Sequence, residues 1–307
     1  MLRSPRLVPG DRVAVVSPAS TPRRDAVERC VEELRRWGLR PEIGAHAFDE
    51  HSFLAGVDDD RLADLNTALR DPGVRAVFAT RGGKGSYRIA DRLDFDAMRR
   101  DPKPLVGFSD ITVLHLAAAR HAGVATLHGP MVSWDEHLVG RAAVDRLRAA
   151  LMTTEPIVIE TDAGQPTAAL TTAGRATGLL LGGNQDSVAT AAGWALPDLD
   201  GAILLLEGFN LRLGHIDRQL TMLENAGHLG GLAGVAIGQY TECGPDRNEP
   251  QNWSYLPLLR GHLDALGVPI LGGLPIGHGV DPHSVPLGTA ATLDADAGTL
   301  QVQSAVQ

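Results

Sequence analysis

Short β-branched runs alternate with amphipathic helical stretches along the first part of the chain, and this alternation restricts the fold more than any other feature. "DRVAVVSPAS" (11–20) is an apolar run ending in turn residues, which reads as a buried strand followed by a loop. "RRDAVERCVEELRRWG" (23–38) then places Ala26, Val27, Cys30, Val31 and Leu34 at helical spacing, with Gly38 as the stop. "RLADLNTALRDP" (61–72) predicts a second helix and "VRAVFATRGG" (74–83) a strand running into glycines. "KPLVGFSD" (103–110) is a third strand and "ITVLHLAAARHAG" (111–123) its helix. Strands that alternate with helices imply a largely parallel sheet covered on both faces. In such sheets ligands lie beyond the carboxyl ends of the strands. Both "TRGGKGSYR" and "FSD" fall at such ends.

The texture changes after "AAVDRLRAALMTTEP" (142–156). Residues 156–172 have no helical period and read as an extended linker. The remainder is rich in short strands: "TGLLLGG", "GAILLLEG", "LAGVAIGQY" and "TAATLDADAGTLQVQ", the last with Ala297-Gly298 in a hairpin-turn position. One helix, "HIDRQLTMLENAG", lies among them. The expectation is an α/β protein. Its N-terminal domain (1–155) reads as a mostly parallel α/β sandwich. A linker (156–172) leads to a mixed α/β C-terminal domain (173–307).

A chain of 307 residues has room for two such domains. No apolar run approaches the ~20 residues of a membrane span. The apolar N-terminal stretch is broken by Pro9, Gly10, Asp11 and Arg12, which makes a poor signal peptide and predicts a cytoplasmic protein. The net charge of −9 gives no basic face for nucleic acid. Cys30 and Cys243 are the two cysteines and form no CxxC pattern, so neither a disulfide framework nor a zinc site is expected.

Ser109 stands where an apolar strand meets a helix. It has two readings: a helix cap, whose oxygen accepts a free backbone N–H, or a nucleophile exposed by a tight turn. The helix's positive end and the N–H of Asp110 would then favour a developing oxyanion. The segment G-F-S-D-I lacks the last glycine of the G-x-S-x-G elbow. A nucleophilic serine needs a base, and the base an orienting acid. Glu207 ends the apolar strand "GAILLLEG", and His278 lies between Gly277 and Gly279. Each also reads as an ordinary surface group, a rim carboxylate and a loop histidine.

Taken together, these residues carry a family resemblance. "GDRVAVVSPAS", "VFATRGGKGSYR", "PLVGFSDIT", "TLHGPM", "GLLLGGN", "ILLLEG", "IDRQLTMLENAG" and "GLPIGHG…VPLG" occur in order over nearly the whole chain. In them the chain resembles the LD-carboxypeptidase/microcin-immunity family of serine peptidases. The resemblance implies a Ser109–Glu207–His278 triad and an oxyanion hole from the backbone N–H groups of Gly83 and Asp110. It also implies that the N-terminal domain carries the serine on a nucleophile elbow, and that the smaller C-terminal domain brings Glu207 and His278 to an active site in the cleft between the two. The same resemblance implies a homodimer without cofactor, acting on a small peptide. The substrate would be a murein tetrapeptide, losing its terminal D-Ala from the L-centre of a diamino acid during cell-wall recycling. The immunity branch, which cleaves peptidyl or aminoacyl nucleotides, is the alternative, and an idle small-molecule-binding module is a second one.

Two departures from the family pattern stand out. Lys84 replaces an aromatic residue of many members, and "EGFNLRLGHIDR" keeps only Glu207 of an E-D-x-x-E stretch before Asp217. Arg81 or Lys84 would suit a substrate's terminal carboxylate. The glycine turn matches neither the P-loop nor the G-x-G-x-x-G spacing of nucleotide sites. His278, Asp281 and His283 share a Gly/Pro-rich loop rather than one helix face, so no metal is expected. Trp134 and Trp253 read as partial core.

Overall fold

The computed structural model describes residues 1–130 and 139–307. Its first half carries β1 (Arg12–Val16), α1 (Arg24–Arg36), β2 (Arg40–Ile43), α2 (Asp58–Arg70), β3 (Val74–Ala79), α3 (Phe95–Arg100), β4 (Leu105–Gly107), α4 (Thr112–Ala117), β5 (Thr126–His128) and α5 (Arg141–Met152). The second half carries β6 (Ile157–Glu160), β7 (Arg175–Asn184), α6 (Gln185–Ala191), β8 (Ile203–Phe209), α7 (Leu213–Asn225), β9 (Gly234–Thr241), α8 (Leu256–Leu263), β10 (Ile270–Leu271), β11 (Val285–Leu287), β12 (Ala290–Asp294) and β13 (Thr299–Val302). The helix α1 buries Ala26, Val27, Cys30, Val31 and Leu34, the face that its spacing predicts. Among the described residues no helix is long and apolar enough to cross a membrane.

The strands form two sheets, of order β11-β5-β4-β3-β1-β2 and β10-β9-β8-β7-β12-β13-β6. In the first, β2, β1, β3, β4 and β5 are parallel. In the second, β10, β9, β8 and β7 are parallel, and β12, β13 and β6 continue it antiparallel. The two-domain α/β fold is therefore built on two mixed sheets, the first parallel except for β11 at its edge and the second divided into a parallel and an antiparallel part. Near-continuous apolar strands such as β1 and β8 suit burial on both faces.

Two features depart from the sequence reading. Within 156–172, expected to be a bare linker, β6 pairs with β13 at a sheet edge, and residues 166–170 form a 3₁₀ turn. A four-residue edge strand that buries only Ile159 leaves too little alternation to be read from sequence. The other is β11, which belongs to the second half of the chain yet pairs antiparallel with β5 in the first sheet. It follows the His278 loop directly and so ties that loop to the sheet that presents Ser109.

Candidate active site

Strand β4 ends at Gly107, and the chain turns through Phe108 and Ser109 into a 3₁₀ turn (Ser109–Ile111) that runs on into α4. The turn is sharp because Ser109 adopts φ +64°, a left-handed conformation that a non-glycine residue occupies at a cost of about 1–3 kcal/mol. Gly107 is required here, since a Cβ would lie 2.9 Å from a methyl of Ile111. Phe108 occupies the capping position, and no side chain caps the turn. Among the described residues Ser109 Oγ makes no hydrogen bond, whereas its carbonyl accepts from Ser187 Oγ at 3.3 Å and from the Thr112 backbone N–H. The capping reading of Ser109 is thus not what the fold uses.

Glu207 lies in β8 opposite Asn184 of β7, at a point where the pairing with β9 shifts by one residue. Such bulges re-aim a side chain. The carboxylate is fully buried and its Oε2 meets His278 Nδ1 at 2.8 Å. Of the two sequence readings of Glu207, the exposed rim carboxylate is therefore not the one the fold adopts. The bulge residue Gly238 has no Cβ to collide with the Ile276 carbonyl, so the histidine loop passes directly over Glu207. Gly277, at φ +129°, would bring a Cβ to 3.0 Å from Glu207 Oε2.

The imidazole is held on three sides. Phe108 packs on it at 4.6 Å between ring centroids, and Phe209 stacks on it at 4.7 Å and 12°. Gln239 clamps the loop: its Oε1 accepts from Gly279 N at 2.8 Å, and its Nε2 donates to the Val280 carbonyl at 3.4 Å. With Nδ1 committed to Glu207, Nε2 is left for proton transfer. No hydrogen bond joins it to Ser109 among the described residues.

The glycine turn after β3 packs against the elbow. A Cβ on Gly82 would lie 2.8 Å from Ser109 Cβ, 3.1 Å from its Oγ and 3.2 Å from Asp110 N. Gly83, at φ +102°, is pressed against Ser20, whose Oγ accepts from Lys84 N at 3.1 Å. Asp110 locks the two segments together, since its Oδ2 accepts from Ser86 N at 2.8 Å and its carbonyl accepts from Ser86 Oγ at 2.5 Å. Burial raises the pKa of this carboxyl against the hydrogen bonds from Ser86. Arg81 Nη1 donates to the Thr21 carbonyl at 3.3 Å, and Lys84 Nζ pairs with Asp186 at 3.0 Å. Burial opposes the charge on Lys84, but Asp186 outweighs it and its pKa is raised.

Ser109, Asp110, His278, Gly83, Arg81 and Lys84 line one cleft of about 1220 Å³, with Glu207 behind the imidazole. Arg218 adds a further cation to the wall, giving a locally basic site on a chain of net charge −9. The sequence reading missed Gly82, Asp186, Phe209 and Gln239. Of these, only Gly82 carried a signal, as the first glycine of the turn.

His278, Asp281 and His283 do not gather at metal-ligand spacing among the described residues; Asp281 pairs with Arg146 at 2.8 Å. Trp253, expected to be partial core, is 54% exposed. Trp134 lies outside the described residues.

Sequence profiles of the LD-carboxypeptidase N-terminal domain and C-terminal domain match residues 13–129 and 177–293. A putative carboxypeptidase of Streptomyces coelicolor is 41% identical over 306 residues, 98% of this chain and 96% of its own. The murein tetrapeptide carboxypeptidase of Pseudomonas aeruginosa is 31% identical over 300 residues, covering 93% and 94%. Among solved structures, the Escherichia coli microcin C7 self-immunity protein MccF, in complex with aspartyl sulfamoyl adenosine, superposes with a TM-score of 0.87 at 20% identity, covering both chains fully, which shows a shared fold. On the strength of both profiles and near-complete alignment to these relatives, the chain belongs to the LD-carboxypeptidase family of peptidases.

Proposed function

We propose that the protein is a cytoplasmic, homodimeric serine L,D-carboxypeptidase that removes the terminal D-Ala from a murein tetrapeptide in cell-wall recycling. The observation that carries this reading is the buried Glu207–His278 pair at 2.8 Å, set on the same cleft as a serine at φ +64°. His278 takes the Ser109 proton through Nε2 while Glu207 holds Nδ1–H and offsets the imidazolium charge. The Ser109–His278 hydrogen bond tightens when substrate enters, as such bonds commonly do. Ser109 Oγ then attacks the carbonyl carbon. The tetrahedral oxyanion is met by the N–H groups of Gly83 and Asp110, each such donor being worth about 3–4 kcal/mol of barrier. His278 returns the proton to the leaving amine, and water hydrolyses the acyl-enzyme by the same route. Arg81 and Lys84 stand ready for the terminal carboxylate.

The named activity of the Pseudomonas relative supports this substrate class. The test is D-Ala release from a murein tetrapeptide, compared with a D,D-linked control. Ser109→Ala should abolish release and labelling by a serine-directed phosphonate while the fold is kept. A variant that still turned over would remove Ser109 from the mechanism, and an unlabelled wild type would point to a binding module.

The immunity-type reading has one feature in its favour: Phe209 lines the cleft and is 40% exposed, an aromatic face on which a base could stack. Comparing kcat/KM on the tetrapeptide and on an aminoacyl sulfamoyl adenosine separates the two.

A further inference from the structure

Lys84 and Asp186 face one another across the cleft from different sheets, Lys84 in the turn after β3 and Asp186 in the first turn of α6. The carboxylate is positioned from behind. Its Oδ1 accepts from Gln219 Nε2 at 2.6 Å, Gln219 Oε1 accepts from Gln185 Nε2 at 2.9 Å, and Gln185 Oε1 accepts from the buried Tyr240 hydroxyl at 2.6 Å. The pair also borders the nucleophile. Lys84 follows Gly83, and Ser187, next to Asp186, donates to the Ser109 carbonyl. Both side chains remain accessible, 61% for Lys84 and 38% for Asp186. An exposed ion pair of this kind contributes little to stability and opens at little cost.

A cation and an anion side by side, the anion fixed by a hydrogen-bond chain that ends on the buried Tyr240 hydroxyl and the cation on a flexible stem, match a ligand whose ammonium and carboxylate share one carbon. We propose that Lys84 and Asp186 form a subsite for a free α-amino-acid zwitterion, the residue released by hydrolysis. Lys84 holds the carboxylate in substrate and product alike. Asp186 meets the ammonium, which exists only after the C–N bond has broken. The product therefore binds more tightly than a simple carboxylate. This inference rests on the carboxypeptidase reading for the source of the amino acid, but not for the binding itself.

The test is calorimetric titration of the whole chain with D-alanine and with propanoate. D-alanine should bind at least about tenfold more tightly, as one added charge-assisted hydrogen bond allows. Asp186→Asn should erase that margin, and Gln219→Met, which keeps both charges but loosens the carboxylate, should narrow it. Equal affinities in the wild type, or a margin that survives Asp186→Asn, overturn the subsite. D-Ala release assayed on the same preparation separates the two readings. Release without D-alanine preference sinks the subsite alone, whereas preference without release sinks the carboxypeptidase and leaves an amino-acid site.

Discussion

Gly82→Ala isolates the contact between the glycine turn and the elbow. Gly82 does not have a positive φ, so alanine suits its backbone, and loss of unfolded-chain entropy even favours the folded state by about 0.4–1 kcal/mol. The new methyl, however, would sit 2.8 Å from Ser109 Cβ and 3.2 Å from Asp110 N. Carbon atoms in contact prefer about 3.5–4.0 Å, so the turn and the elbow must separate by roughly 0.7 Å or more. Misplacement on the order of 1 Å costs about 10²-fold in rate, and loss of one oxyanion donor costs about 10²–10³. The expected outcome is a fall of at least about 100-fold in kcat with a thermal midpoint lowered by only a few degrees, since an overpacking cost of about 1–3 kcal/mol is partly offset by the entropy term. The phosphonate labelling rate of Ser109 should fall in parallel, and that readout does not depend on which substrate is correct. A variant with wild-type turnover and labelling would show that the turn does not help to form the reacting geometry.

Three further outcomes follow from the same geometry. Glu207→Gln keeps the volume but removes the charge and lets an amide N–H donate to Nδ1, which selects the wrong imidazole tautomer, and kcat should drop about 10³–10⁴-fold in steady-state assay; a loss under tenfold would show that the carboxylate does not orient His278. Phe209→Ala removes one face of the imidazole stack, an interaction of about 0.5–1.5 kcal/mol, so kcat/KM should fall about 2- to 12-fold, and a loss as large as that of Glu207→Gln would refute a purely packing role. Burial lowers the pKa of His115 to about 4 against its hydrogen bond to the Gly107 carbonyl. The unfolded chain therefore takes up a proton near pH 6.5 that the folded chain refuses, so this stability is present above about 6.5 and is lost as pH falls toward 4. Between pH 7.5 and 5 the loss is about 2 kcal/mol, with the buried His128 acting in the same direction. Urea denaturation at both pH values should show it, and His115→Gln should shrink the difference; an unchanged pH dependence in that variant would refute the assignment.

The sequence by itself determined the parallel part of the architecture, because near-continuous apolar strands such as β1 and β8 call for cover on both faces, which helical crossovers supply. It also determined where chemistry could sit, since Ser109, Glu207 and His278 each fall at a strand end or in a glycine-flanked loop. What those groups do was decided only by tertiary structure. Nothing local distinguishes a capping serine from one held at positive φ, or a rim carboxylate from one buried against an imidazole. Those distinctions come from residues far apart in the chain: Gly238 opening the path of the histidine loop, β11 crossing to the first sheet, Gly82 lying on Ser109, and Asp186 meeting Lys84. A pattern along the chain reports each residue's own preference for burial and backbone angle. The distance between two side chains is set by the packing of whole sheets, which no short stretch encodes.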